Sequence, residues 1–129
     1  MMAELQAASL GLPNFVFASA GLEPGDTDLR TVEFLGSKGI DATRWVPRSL
    51  QQIPNLEHYQ VVILLGDGTH EVAPHLPVKA IKMQWRTPAP PNLGASDEVT
   101  RAANERLFRF LDENIRAFVE AMSGDNALD

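Results

Sequence analysis

The chain has 129 residues, is 44% hydrophobic and carries a net charge of −6 with no cysteine, which allows one sizeable core and excludes disulfides, thiolate metal ligands and thiol redox chemistry. No Lys/Arg cluster offsets the acidic balance, and nucleic-acid binding draws most of its affinity from concentrated positive charge, so no nucleic-acid partner is expected. The longest uninterrupted apolar run, Val61 to Leu65, falls far short of the roughly 20 residues that span a bilayer, and the start lacks the basic-then-apolar layout of a signal peptide, so a cytoplasmic protein without a membrane partner is expected.

Residues 3–10 are good helix formers stopped by Gly11 and Pro13. Residues 15–18, Phe-Val-Phe-Ala, predict a short strand between turn residues. Asp26 or Thr27 can cap a helix with Leu29, Val32 and Leu35 as its buried stripe, and Gly36 and Gly39 stand near its exit. Ser49 caps a single turn before Pro54. The clearest strand covers residues 59–65, where five successive apolar residues, three of them β-branched, suit a parallel strand covered on both faces. A shorter strand is predicted over 78–83, followed by Trp85 and a Pro-rich loop. From Ser96 a long helix runs to about Met122, with Asp97 and Glu98 favouring its positive end. Val99, Ala103, Leu107, Leu111, Ile115, Phe118 and Met122 form one apolar face built to pack on a sheet. One domain is expected over residues 1–122, with 123–129 a frayed tail. Strands alternating with helices imply an α/β three-layer sandwich, a small, mostly parallel sheet flanked by helices.

Several motifs in this order resemble low-molecular-weight protein tyrosine phosphatases and their arsenate reductase relatives. Ser19-Ala20-Gly21 to Gly25 is similar to the family's Ser-Ala-Gly-x-x-x-Gly. Val32, Leu35 and Gly39-Ile40-Asp41 resemble its Val-x-x-Leu helix and Gly-Ile-Asp, and Arg48-Ser49-Leu50 its Arg/Lys-Ser-Leu. Tyr59 to Leu65 looks like a central strand of that fold. Ala73-Pro74-His75-Leu76-Pro77 resembles Cys-Pro-x-x-Pro, and Trp85-Arg86-Thr87-Pro88-Ala89-Pro90 resembles Trp-x-x-Pro-Asp-Pro. The resemblance spans nearly the whole chain.

What the resemblance implies about chemistry is mostly loss. The family's first strand ends in Cys-x5-Arg-Ser and enters a helix similar to Met1-Met2-Ala3-Glu4, so the chain is expected to lack the first strand, the thiolate, the amide nest and the phosphate-clamping arginine. A hydroxyl from Ser9 or Ser19 has neither the low pKa nor the cradle. The family's general acid, a role worth about 10² to 10⁴ in rate, falls at Ala89, and Asp97 belongs to the next helix. The disulfide-shuttling cysteines of arsenate reductases match Leu65 and Ala73. The expected function is therefore a catalytically inactive domain acting as a protein-interaction or regulatory module, with no catalytic residue and no cofactor. The alternative is a truncated form of an active phosphatase or arsenate reductase whose nucleophile loop lies upstream of Met1.

The first strand of the family is central, and its loss is expected to leave backbone groups unpaired at roughly 1 to 3 kcal/mol each when buried. A domain stable by about 5 to 15 kcal/mol cannot absorb several of these. Either the flanking strands pair directly or another chain shares an edge, so a protein partner or self-association is expected. Asp67, His70, Glu71 and His75 could be drawn as a metal cluster, but a capped, solvated turn is the preferred reading and no metal is expected. Trp85 with Arg86, and Trp45 with Arg48 beside Arg44, are the candidate binding residues; for Trp85 a packing role is favoured, and for the second group a solvated loop.

Overall fold

The computed structural model describes residues 1–21, 27–66, 76–77, 79–89 and 94–128, with side chains up to residue 123. Among these residues three α-helices and two β-strands run in the order α1 (Met2–Ser9), α2 (Leu29–Ser37), β1 (Val61–Leu65), β2 (Ile81–Trp85) and α3 (Asp97–Leu128), with 3₁₀ turns at Leu50–Gln52 and Leu56–His58. The architecture is α/β with a parallel two-stranded sheet. Among the described residues no helix is long and apolar enough to cross a membrane.

Local sequence explains where the helices start and stop. Asp28, rather than Asp26 or Thr27, caps α2: its backbone is extended and its carboxylate accepts the Arg30 N–H at 2.9 Å, one of the donors a helix start leaves unpaired. Asp26 lies outside the described residues. At the other end the Ile40 N–H reaches the Leu35 carbonyl and the Gly39 N–H the Gly36 carbonyl, at 2.9 and 3.0 Å. That paired exit needs a left-handed residue, and Gly39 supplies it with φ of 80°. Ser96 caps α3 as expected, its Oγ accepting the Val99 N–H at 3.3 Å. The helical backbone then continues to Leu128, past the expected stop near Met122; Gly124 is the only breaker in that stretch and no proline follows it.

The core is helical. Leu35 is fully buried, and Leu111, Ile115, Phe34, Met2, Ala7 and Ala42 complete the cluster. Instead of lying chiefly on a sheet, α3 makes its main packing contacts with α1 and α2. Its buried face includes Thr100, Ala103, Asn104, Leu111 and Ile115, whereas Val99 is exposed. Phe34 and Phe108 meet edge to face at 5.8 Å between centroids, and Lys38 Nζ sits over both rings while bonding Glu105 at 3.0 Å. Two polar links cross the same contacts. Gln6 of α1 donates to the Phe108 carbonyl at 3.1 Å, and Asn104 donates to Thr31 of α2 at 3.3 Å.

The sheet is the lesser part. β1 and β2 pair in register from Val61 opposite Ile81 to Leu65 opposite Trp85. β2 begins later than expected because the chain turns first, the Ala80 N–H bonding the Pro77 carbonyl, and the ladder opens at the Ile81 N–H on the Gln60 carbonyl. Residues 15–18 do not form a strand, although Phe15 and Phe17 stack at 5.8 Å on one side and Val16 is left exposed. That is the side-chain alternation of a strand, but no ladder partner supports it among the described residues. Direct pairing of these residues with β1 is therefore not seen.

Two consequences can be measured by denaturant unfolding. Gly39→Ala forces a Cβ into the left-handed region and is expected to cost about 1 to 2 kcal/mol, whereas Gly36→Ala, three residues earlier in the helix, meets no atom within 4 Å and is expected to stabilise by about 0.5 to 1 kcal/mol. Asp28 gives a pH signature. Hydrogen bonds from Arg30 hold its carboxyl below the ordinary carboxylate range, so its contribution is complete above the unfolded pKa of about 4 and is lost as pH falls through the lower folded value. Asp28→Ala is expected to cost about 1 kcal/mol at neutral pH, and the difference from the parent chain should shrink below about pH 4.

Candidate functional site

In open α/β sheets ligands meet the carboxyl ends of the parallel strands. Here those ends are Leu65-Gly66 and Trp85 to Ala89. The Gly66 N–H closes the ladder on the Trp85 carbonyl at 3.0 Å, and Gly66 turns the chain away with φ of 83°. Gln84 Nε2 holds the Gly66 carbonyl at 2.9 Å, and the Thr87 N–H folds back on Trp85 at 3.0 Å. A Cβ at Gly66 would stand 3.6 Å from Thr87 Oγ1, so the two strand exits lie against each other.

Among the described residues the functional groups offered there are few. Trp85 is half-buried and packs on the helical core, which assigns its ring to packing. Arg86 and Ala89 are exposed. Between Trp85 and Ala89 the chain therefore presents one guanidinium and one hydroxyl, with no carboxylate or imidazole in that segment to move a proton. Asp67, His70, Glu71 and His75 lie outside the described residues. Among the described residues no three His, Cys, Asp or Glu side chains gather as metal ligands do.

The second candidate group is divided. Trp45 is half-buried, and its N–H closes a turn on the Ala42 carbonyl at 3.2 Å. Arg44 is exposed, as is Val46 beside it. Arg48 points to other work: Nη2 donates to Glu4 Oε1 at 2.9 Å and Nε to the Ser19 carbonyl at 3.0 Å. Ser19 in turn donates both its N–H and its Oγ to the same Glu4 oxygen, and the Gly21 N–H donates to the Arg48 carbonyl at 3.0 Å, beside a bridge from Gly21 to Ser49. This clasp ties α1 to the segment after it and to the loop before the first 3₁₀ turn. Periodicity gave no sign of it, because its members stand 15 to 44 residues apart.

The clasp also answers the chemical question about Ser19. A serine beside a carboxylate resembles a nucleophile with its base, but Glu4 Oε1 already serves the guanidinium and the Ser19 amide. Ser9 Oγ is likewise engaged, donating to the Gln6 carbonyl at 2.6 Å. A depression of about 350 Å³ adjoins Glu4, lined by Ala7, Ala8, Leu12, Phe15 and Phe17. Its lining mixes polar and apolar surface, and Glu4 is the one charged residue among the described residues that line it.

Comparison with solved structures places this architecture. An arsenate reductase in the reduced state superposes with a TM-score of 0.67 at 25% identity, covering 91% of this chain and 87% of that one. A second arsenate reductase in the reduced state gives 0.63 at 25% identity, covering 90% and 86%. No protein-family model and no curated protein matches the chain. The fold is thus of the arsenate reductase kind that the motifs resemble.

The clasp is open to a direct test by urea unfolding. Glu4→Ala leaves Arg48 and the Ser19 amide without their acceptor and is expected to cost about 1 to 3 kcal/mol. Arg44→Ala, on the exposed loop nearby, should stay within about 0.5 kcal/mol of the parent chain.

Proposed function

We propose that this chain is a catalytically inactive domain of the low-molecular-weight phosphatase and arsenate reductase type, acting through protein contacts. The observation that carries the reading is Ala89, exposed on the loop leaving β2, at the position where the resemblance calls for a proton-donating aspartate. A methyl group cannot protonate a leaving group. A second support is that Leu65 and Ala73, where the resemblance sets the disulfide-shuttling cysteines of arsenate reductases, carry no thiol. Exposed apolar side chains, Val46, Leu65 and Ile81 among them, support the further step that the domain makes contact with another polypeptide. In this reading the domain is a three-layer sandwich without the family's first strand, and exposed groups such as Arg86 are available for binding.

The competing reading, an active enzyme whose nucleophile loop lies upstream of Met1, still has to account for Ala89. The two separate in one set of assays. The chain as given and its Ala89→Asp variant are expected to hydrolyse p-nitrophenyl phosphate, and to reduce arsenate in the presence of a thiol donor, no faster than buffer does. Turnover proportional to the concentration of the chain would contradict the proposal. An upstream-extended form that reached full activity with Ala89 unchanged would remove its main support.

A further inference from the structure

The contact between α2 and α3 changes character along its length. At one end it is apolar and tight: Phe34 meets Phe108 edge to face, Lys38 covers both rings, and Leu35 and Leu111 are sealed in the core. Toward the starts of the two helices the buried residues of α3 are largely polar. Thr100 and Asn104, four residues apart and so on one face of the helix, are each only 1% exposed. Asn104 meets Thr31 of α2 through separations of 3.3 and 3.4 Å, longer than a well-formed hydrogen bond. The Thr100 hydroxyl is buried with no hydrogen-bond partner.

A buried hydroxyl without a partner gives up its hydration and gains no bond in return. The closed contact therefore carries a cost at Thr100 that access to water removes. Apolar residues beside it offset little of that cost, because Leu29 at the start of α2 and Val99 at the start of α3 are 74% and 56% exposed. Among the described residues the short bonds between the two starts come from Arg30. Its Nη1 donates to the Ala95 carbonyl at 2.6 Å and reaches Asp97 at 3.5 Å, while Nε and Nη2 bond the Asp28 carboxylate at 3.2 and 3.0 Å. One side chain of α2 thus fastens the residues that lead into α3.

We propose that the start of α3, residues 97–104, is a conformational device: it unwinds from α2 while α3 from Phe108 onward stays packed, and Arg30 is the strap that holds it shut. Opening hydrates Thr100 and Asn104 and leaves the Leu35 cluster intact. The chain that leaves β2 at Trp85 leads into this segment, so its far end is tied to a movable element rather than to the fixed core. The device operates whether the domain is active or inert.

The test is residue-resolved amide hydrogen exchange on the full chain and three variants. In the parent, amides 101–104 are expected to exchange at least roughly tenfold faster than amides 111–115, through an opening insensitive to low urea. Thr100→Val keeps the shape and the β-branching and removes the orphaned hydroxyl, so amides 101–104 are expected to slow by about tenfold. Arg30→Gln releases the strap and is expected to speed the same amides by about tenfold. Ile115→Val weakens the part that stays packed in both states, so it is expected to speed amides 111–115 several-fold, roughly the effect of one lost buried methyl group, and to leave 101–104 at the parent rate. Equal protection of the two sets in the parent overturns the proposal, because the segment then opens only with the whole chain. Unchanged rates at 101–104 in Thr100→Val overturn it too, since ordinary fraying of a helix end is indifferent to that hydroxyl. Unchanged rates in Arg30→Gln overturn the strap, and equal acceleration of both sets by Ile115→Val overturns the separate opening.

Discussion

A parallel strand carries hydrogen-bonding groups on two edges and, when apolar throughout, needs cover on two faces. Among the described residues β1 is paired on one edge only, by β2, and none of its five apolar side chains is fully buried. Much else follows from that imbalance. Residues 15–18 keep the side-chain alternation of a strand, with Phe15 stacked on Phe17 and Val16 outward, yet have no ladder of their own among the described residues. The burden of stability shifts to the helices, where Leu35 and Leu111 are sealed between α1, α2 and α3.

The division of labour is physical rather than formal. Helices satisfy their backbone internally, so α2 and α3 need only caps at their ends and apolar contact at their faces. Asp28, Gly39 and Ser96 supply the ends, and the Leu35 cluster supplies the faces. A strand has no such independence, because every second backbone group must find a partner on each side. The Glu4, Ser19 and Arg48 clasp compensates in part. It fastens α1, the segment after it and the loop at Arg48 by side-chain and main-chain bonds where no ladder does so.

Helix existence was legible from the chain because the period of Val32 and Leu35, and of Ala103, Leu107, Leu111 and Ile115, is carried locally. Val99 fell off the face because the burial of Thr100 and Asn104 rotates the start of α3, a property of its neighbours and not of its own sequence. The cap is Asp28 and not Thr27 for a similar reason: its carboxylate accepts the Arg30 N–H and also pairs with the Arg30 guanidinium, which a threonine hydroxyl cannot match. Motif resemblance found Glu4, Ser19 and Arg48 one at a time, as parts of three separate patterns. Their meeting in space was invisible until the fold brought them together. Trp85 is half-buried against the helical core, and Arg48, named as a binding candidate, bonds Glu4 and the Ser19 carbonyl.

Residue-resolved amide hydrogen exchange along β1 tests the central claim most directly. The bonds from Ile81 N–H to the Gln60 carbonyl and from Gly66 N–H to the Trp85 carbonyl set Val62 and Leu64 toward β2, so the account predicts that their amides are protected while those of Val61, Ile63 and Leu65 exchange quickly. Uniform protection along the strand would contradict it.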